Sequence, residues 1–594
     1  MTVKERIAAL RAGMKENGVD ACVVFDSDEH MSEYLPAHYR ERSWISGFTG
    51  SAGTVVVTAG AAGLWTDGRY YLQAGQQLSG SGITLYRASD AGVVSLVDYL
   101  LAAVPEGGVI ALNGRVASTK MVLDLRRRCT EKNITLRTDL DLVGALWTED
   151  RPGLPTASAF PYPEEYAGAP VKGKLALVRE KMEKLRLDLY VVGALDSLCW
   201  LLNLRGSDVE ISPLFTGFVV VGLEDAALFA DPERVPEGLA ASLAQAGVGI
   251  RPYGDIYRWV ADLPGRARVG FSPRTVNAAV YDGLGDRVER VLLEDDIAEH
   301  LKMIKNHAEL QHIRTAHKHD GVAMVRFLMW LEQARHSRLT EWNICEKLLE
   351  LRSAQPEFKG LSFETIAGYG ANGAIVHYEP TAQHCAELRE GSFLLIDSGA
   401  QYLGGTTDLT RTIPLGEVPG SYRRDYTLVL KAFIRLQAAR FPTGTTGRSL
   451  DVLARQVMWE NYLDYKHGTG HGVGCYLNVH EGPNNFSDAR VPFEEGMVIS
   501  VEPGLYRAGQ LGVRTENLVT VVRDRYSDEY GQFYRFEPLT LCPINTAAIE
   551  PGMLSREEAA WLNRYHSRVF EQLSPMLEPE ERKWLGAATA PVHI

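Results

Sequence analysis

The sequence predicts two related α/β domains followed by a larger domain of mixed α+β design. Three observations carry this. Residues 6–24 (RIAALRAGMKENGVDACVV) align without a gap to residues 174–192 (KLALVREKMEKLRLDLYVV). The stretch WTEDRPGLPTASAFPYPEEYAGAP, just before the second copy, has five prolines in 24 residues. From about residue 306 onward, short apolar strands alternate with Gly-containing turns, the pattern of an antiparallel α+β domain. The domains this predicts are 1–157, 158–305 and 306–594.

Each copy of the repeat reads as an amphipathic helix running into an apolar strand; in the first copy Ile7, Leu10 and Met14 share one helical face. A Trp and a Gly-Ser follow in both, WISGFTGSAGTVVV from Trp44 and WLLNLRGSD from Trp200. A second strand and an acidic turn come next, GLWTDGRYY in one and AALFADPER in the other. An ordered series of matches marks a duplicated domain. Proline fixes φ and removes a donor, so the proline-rich stretch is an extended connector. A long helical pattern over 300–336 opens the third domain, whose strands are GSFLLIDSGAQYLGG, TTDLTRTI, GMVISVEPGLY and LGVRTENLVTVV. Near the end, Ser555 with Glu558 three residues on predicts a capped helix, and Trp561, Tyr565, Val569 and Leu573 its packed stripe.

Composition excludes several classes. A net charge of −13 opposes nucleic acid as the main partner, since phosphate binding needs a basic surface. No run of about 18 apolar residues is present to span a membrane. The seven cysteines are scattered, odd in number and without a CxxC pair, which suits free thiols in a reducing compartment; the expected location is the cytoplasm.

The chemistry concentrates in the third domain. Asp397 ends an apolar strand, where an unpaired charge is costly, and Asp408 follows eleven residues later beyond a Gly-Gly turn. A hairpin of that length places two side chains of one face within mutual reach. The pattern recurs downstream, with Glu502 ending MVISVE and Glu516 inside GVRTENLVTVV. Between the two pairs lies HGTGHGVGCYLNVHEGP, which holds His467, His471 and His480. Four acids in strand contexts around a histidine-rich loop bind cations. Hard carboxylates with one imidazole suit Mn²⁺ first and Zn²⁺, Co²⁺ or Fe²⁺ less cleanly. Such a set exceeds the three protein ligands of one catalytic zinc. Shared by two metals it activates a bridging water and clamps the attacked carbonyl. Cys475, inside the loop, has no base spaced for it and reads as a small packed residue; His384 reads as surface.

The segments GLSFETIAGYGANGAIVHYEP, LLIDSGAQYLGGTTDLTRT, HGTGHGVGCYLNVHEGP and ISVEPGLY…GVRTEN resemble the metal-binding core of the aminopeptidase P (Xaa-Pro aminopeptidase) family. Earlier segments, SEYLPAHYRERSWISGFTGSAGTVVVTAGAAGLWTDGRYYLQA and WLLNLRGSDVEISP, resemble the first two domains of its long form. The fold this implies is two related creatinase-like N-terminal α/β domains followed by a pita-bread catalytic domain. The resemblance implies five metal ligands, Asp397, Asp408, His471, Glu502 and Glu516, with Asp408 and Glu516 bridging two divalent metal ions. Glu502 would also be the acid/base partner of the attacking water. His377, His467 and His480 would contact the peptide and the oxyanion, while Tyr506 and Arg514 would line the site; Arg69 of the first domain would reach it. The implied activity is release of an N-terminal residue from peptides with proline second, by a manganese-dependent homodimer.

The nearest rival is prolidase, which has the same ligands but takes only Xaa-Pro dipeptides; two repeated domains before the catalytic one weigh against it. Creatinase-like enzymes lack the full ligand set. A non-catalytic pita-bread interaction module would typically have lost ligands, and none of the five is missing. A two-metal phosphoesterase lacks support in any Gly-rich phosphate loop or basic cluster.

Overall fold

The computed structural model describes residues 1–334, 337–487 and 490–593. The chain divides into two compact units, Met1–Glu299 and His300–Ile594. The first unit holds two six-stranded sheets. One contains β1 (Ala21–Val24), β2 (Thr54–Thr58), β3 (Ala62–Thr66), β4 (Thr84–Arg87), β5 (Val109–Ala111) and β6 (Thr135–Arg137), in the order β4-β3-β2-β1-β5-β6. The other contains β7 (Leu189–Val192), β8 (Phe218–Gly222), β9 (Ala226–Phe229), β10 (Val248–Arg251), β11 (Arg268–Phe271) and β12 (Glu289–Leu292), in the order β10-β9-β8-β7-β11-β12.

The two orders are one permutation. In each sheet the first strand pairs antiparallel with the second and parallel with the fifth. The repeat read from sequence is therefore a repeat of topology. Its helices, Val3–Glu16 and Val171–Leu185, bury Ile7, Leu10 and Met14 in one copy and Leu175, Val178 and Met182 in the other, the aligned positions. The proline-rich connector has no helix or strand over 151–159, and beyond that it contributes two short elements. Phe160–Pro161 pairs with Leu204–Arg205, and Glu164–Ala167 makes a single helical turn.

The helical pattern over 300–336 breaks into two helices, Ile297–Met303 and His307–Ala334, and its residues 335 and 336 lie outside the described residues. The break has a local cause. Ile304 bridges to Met497, the Lys305 amide donates to the Gly496 carbonyl, and Asn306 starts the next helix in a reciprocal cap with Glu309 (3.0 and 2.9 Å).

In the second unit every described strand pairing is antiparallel. Ile366–Tyr369, Ser392–Ser398 and Leu409–Leu415 form one sheet. A six-stranded sheet runs in the order Arg440–Pro442, Gly531–Pro538, Asn517–Ser527, Val498–Val501, His471–Gly472 and Glu481–Asn485. Helix Gly420–Gln437 and the tail helix Arg556–Leu573 close the core, with Phe433 edge-on to Trp561 at 5.8 Å. The tail helix has the expected Ser555–Glu558 capping box, and Tyr565, Val569 and Leu573 are buried.

Candidate metal centre and active site

Backbone register brings the four acids together. Asp397 lies directly opposite Thr410 on paired strands, so their side chains share a face, and Asp408 stands two residues before Thr410. On the other pair, Val501 faces Asn517, so Glu502 and Glu516 flank the same end of that ladder. The two hairpins are joined by the Glu516 amide donating to the Thr410 carbonyl (3.1 Å). Arg411, fully buried, donates to the carbonyls of Thr410 (2.8 Å), Glu516 (2.6 Å) and Cys542 (2.8 Å) and to Asn517 Oδ1 (2.8 Å). Through these contacts it ties the strand of Asp408 to the strand of Glu516.

His471 enters from the glycine loop. Its amide donates to Ser500 Oγ (2.9 Å) and its Nδ1 faces the Gly472 carbonyl at 2.9 Å. That carbonyl requires the proton on Nδ1, so the Nε2 lone pair points into the site. There it meets Asp408 Oδ2 at 3.5 Å and Glu502 Oε1 at 3.4 Å. On the neutral imidazole that lone pair, aimed at two carboxylate oxygens, is repulsive, and either a proton on Nε2 or a metal cation among them removes the repulsion. One ligand atom from each of Asp408, His471 and Glu516 lies within 4.8 Å of the others. Asp397 Oδ1 and Asp408 Oδ1 are buried with no hydrogen-bond partner. Hard oxygen donors with one imidazole nitrogen, two of the oxygens orphaned, fit divalent metal ions.

The charges strain against one another without metal. Burial, reinforced by Asp408 and Glu502 against the pull of Arg514, pushes the Asp397 carboxyl up to about 7. Burial followed by Asp408, Glu502 and Asp397 holds Glu516 well above the carboxylate range. Burial also raises Glu502, opposed by His471 and Arg514. Burial alone would lower His471, but Asp408 and Glu502 outweigh it and raise the imidazole to about 9.

The other expected residues form a chain of contacts beside this cluster. His467 Nδ1 faces the Gly468 carbonyl (2.7 Å), so its Nε2 accepts from the Tyr506 hydroxyl (2.8 Å). Tyr506 in turn accepts from Arg514 Nη1 (2.7 Å), and Arg514 Nη2 donates to Asp397 Oδ2 (2.6 Å). Burial pushes the Tyr506 phenol up to about 12, so it stays protonated. His480 stands edge-on to His471 with ring centroids 4.3 Å apart. His377 is half-buried, and the carbonyl of its neighbour Val376 accepts from Arg514 Nη2 (3.4 Å). Arg69, in the other unit, is held by Asp67 through Nε (2.9 Å) and Nη2 (2.8 Å). Cys475 is buried, its thiol donating to the Gly404 carbonyl (3.5 Å), and His384 is exposed.

Sequence reasoning missed several supports. Thr410 donates to Glu516 Oε2 (2.7 Å) and accepts from Arg514 Nε (3.2 Å); strand alternation from Asp408 could have found it. Ser500 accepts from the His471 amide and donates to Glu502 Oε1 (3.2 Å). Arg455, on helix Gly447–Trp459, donates to the His467 carbonyl (3.0 Å), and nothing in its local sequence marks that role.

Two predictions arise here. A methyl at Gly470 would overlap the Ser500 carbonyl, so Gly470→Ala must push the histidine loop off the neighbouring strand. The expected cost is about 1–3 kcal/mol of stability, together with weaker metal binding, read by thermal melts and metal titration. Tyr506→Phe breaks the contact between His467 and Arg514 while leaving every carboxylate in place. It should lower kcat by roughly 10–100-fold with metal content unchanged, measured by steady-state kinetics beside elemental analysis.

Two tandem α/β domains, a pita-bread unit and a buried carboxylate–histidine cluster suited to divalent metals together define a metallopeptidase. Comparisons with known proteins agree. Residues 311–523 match the model of metallopeptidase family M24, and 532–592 match the C-terminal region of that family. Creatinase/prolidase N-terminal domain models match both 6–140 and 150–309. Aminopeptidase P2 of Arabidopsis thaliana is 37% identical over 633 residues, covering 100% of this chain and 89% of its own. A probable Xaa-Pro aminopeptidase P of Tuber melanosporum is 37% identical over 614 residues, covering 99% of each. The crystal structure of X-prolyl aminopeptidase from Caenorhabditis elegans, described as a cytosolic enzyme with a di-nuclear active site, superposes with TM-score 0.95 at 33% identity over 100% of both chains. The chain belongs to the Xaa-Pro aminopeptidase P family of M24 metallopeptidases.

Proposed function

We propose that this chain is a two-metal aminopeptidase that releases the N-terminal residue from peptides whose second residue is proline. The observation that carries the reading is the buried convergence of Asp408, His471 and Glu516, with Asp397 Oδ1 and Asp408 Oδ1 orphaned beside it. The relatives' names supply the substrate class, and an Xaa-Pro bond is a tertiary amide whose compact ring a pocket can demand.

Asp397, Asp408, His471, Glu502 and Glu516 would hold the metals, Asp408 and Glu516 shared between them. When bound, two divalent ions polarise the scissile carbonyl and make water a nucleophile at neutral pH. Glu502 is assigned to accept the proton of the attacking water at a carboxylate oxygen and to return it to the leaving proline nitrogen. Arg514 orients Asp397 through its 2.6 Å contact and opposes its protonation. His467 and Tyr506 present a fixed donor–acceptor pair at the site, and His377 and His480 are assigned to the peptide carbonyl and oxyanion.

Ligand chemistry favours manganese, with zinc or cobalt next. The domains are assigned as 1–157, 158–305 and 306–594. The catalytic species is taken to be a homodimer, with Arg69 reaching the substrate. A cytoplasmic setting accords with seven free cysteines and with the absence, among the described residues, of a helix long and apolar enough to cross a membrane.

The test is to load the protein with Mn²⁺ and offer an Xaa-Pro-Yaa tripeptide, an Xaa-Pro dipeptide and an Xaa-Ala-Yaa control. Cleavage of the first with the control intact is expected. Cleavage of the dipeptide alone would reassign the chain as a prolidase, and bound metal with no cleavage would make it a binding module.

A further inference from the structure

Between the strands Ile366–Tyr369 and Ser392–Ser398 the chain makes a long excursion that carries His377. Its organisation centres on Glu341, the first residue of helix Glu341–Ser353, whose side chain is wholly buried. Glu341 Oε1 accepts from the Tyr369 amide (2.7 Å) and from Asn372 Nδ2 (2.9 Å). Its Oε2 accepts from the Tyr378 hydroxyl (2.8 Å) and the Ala386 amide (2.6 Å). The Glu341 amide returns a bond to the Ala386 carbonyl (3.0 Å). One carboxylate thus gathers the start, the middle and the end of the excursion.

His377 sits between two of these ties. On one side Val376 is bound through its carbonyl to Arg514, the arginine that also holds Asp397. On the other, Tyr378 is bound to Glu341. Burial, followed by its bond to Glu341, raises the Tyr378 phenol, so the hydroxyl keeps its proton and donates. No arginine or lysine bonds to Glu341 among the described contacts; its donors are amides and a hydroxyl. A buried anion held this way is expensive to keep unless several donors converge on it, and here at least four do.

We infer that Glu341 is a positioning residue for His377: its carboxylate holds residues 369–386 so that the His377 imidazole faces the substrate. This rests on the assignment of His377 to peptide contact in the proposed reaction.

Two measurements test it. In metal-free protein, hydrogen exchange is compared between wild type and Glu341→Gln, whose amide would set a donor against the donors of the excursion. Exchange is expected to quicken across 370–386 while strands Ser392–Ser398 and Val498–Val501 keep their protection. Unchanged exchange in the excursion, or equal loss in those strands, would overturn the inference. The second measurement uses Tyr378→Phe, which removes one donor and should fold normally. Alone it should lower kcat on an Xaa-Pro-Yaa peptide by roughly tenfold, the worth of one hydrogen bond to a charged group. Placed on His377→Ala it should cost less than about twofold more, because neighbours acting through one group are not additive. Its full loss repeated in the His377→Ala background, or no loss alone, would overturn the inference. If wild type binds metal but cleaves no Xaa-Pro peptide, the proposed reaction falls, and the exchange measurement still decides whether Glu341 holds the excursion.

Discussion

Asp408→Ala is expected to empty both metal positions and to reduce kcat by at least a thousandfold, well beyond the roughly 10–100-fold that loss of a ligand's supporting contact costs. Asp408 lies at the crossing of the contacts. It is 3.5 Å from His471 Nε2, belongs with Glu516 to the tight ligand group, and has one oxygen buried without a partner. The same change should act oppositely on the metal-free protein, because the Asp408 charge helps to raise Asp397, Glu502 and Glu516. Removing it relieves that repulsion, so the metal-free variant should melt no lower than metal-free wild type. The rise in melting temperature on adding Mn²⁺, large in wild type, should vanish. Elemental analysis and paired melts check both halves; a full two-metal complement in the variant would show that the ligand assignment is wrong.

The second large effect concerns pH. Asp397 titrates at its ordinary 3.8 when unfolded and near 7 when folded without metal. Across that interval the folded state binds more protons, so stability falls as pH rises from about 4 to about 7, and Glu516 and Glu502 act in the same direction. His471 moves from 6.5 to about 9, so its contribution is complete below 6.5 and is lost as pH rises through 9. Both kinds of group therefore make the metal-free protein less stable with rising pH. Metal binds the deprotonated ligands, so it should reverse the trend and release protons on binding. Melts with and without Mn²⁺ from about pH 5 to about pH 8 should diverge, the metal-free curve falling and the gap widening. Parallel curves would mean that the cluster does not carry these displaced protonation equilibria.

Much of this was legible in the sequence because it is written in local pattern. The duplicated α/β domain showed itself through aligned apolar spacing, Ile7, Leu10 and Met14 against Leu175, Val178 and Met182, and the structure returns the same permutation of strands in both sheets. The Ser555 cap was readable for the same reason, since a capping box closes within four residues. The break at residues 304–306 was not. Helical periodicity continues through it, and what interrupts it is Met497 and Gly496, nearly two hundred residues away.

The site divides along the same line. Acids in apolar strands and histidines among glycines announce themselves, and the motifs carry the family resemblance. Glu341 and Arg411 have no such signature, because each acts on backbone groups far along the chain. Sequence alone determined the repeated domains, the antiparallel catalytic unit and the set of residue types that metals require, since all depend on short-range periodicity and on what each side chain can ligate. Only the tertiary structure decided which nitrogen of His471 faces the carboxylates, which carboxylate oxygens are left without partners, and what holds His377 in place. Those depend on strand register and on hydrogen bonds closed between distant segments, which no local pattern encodes.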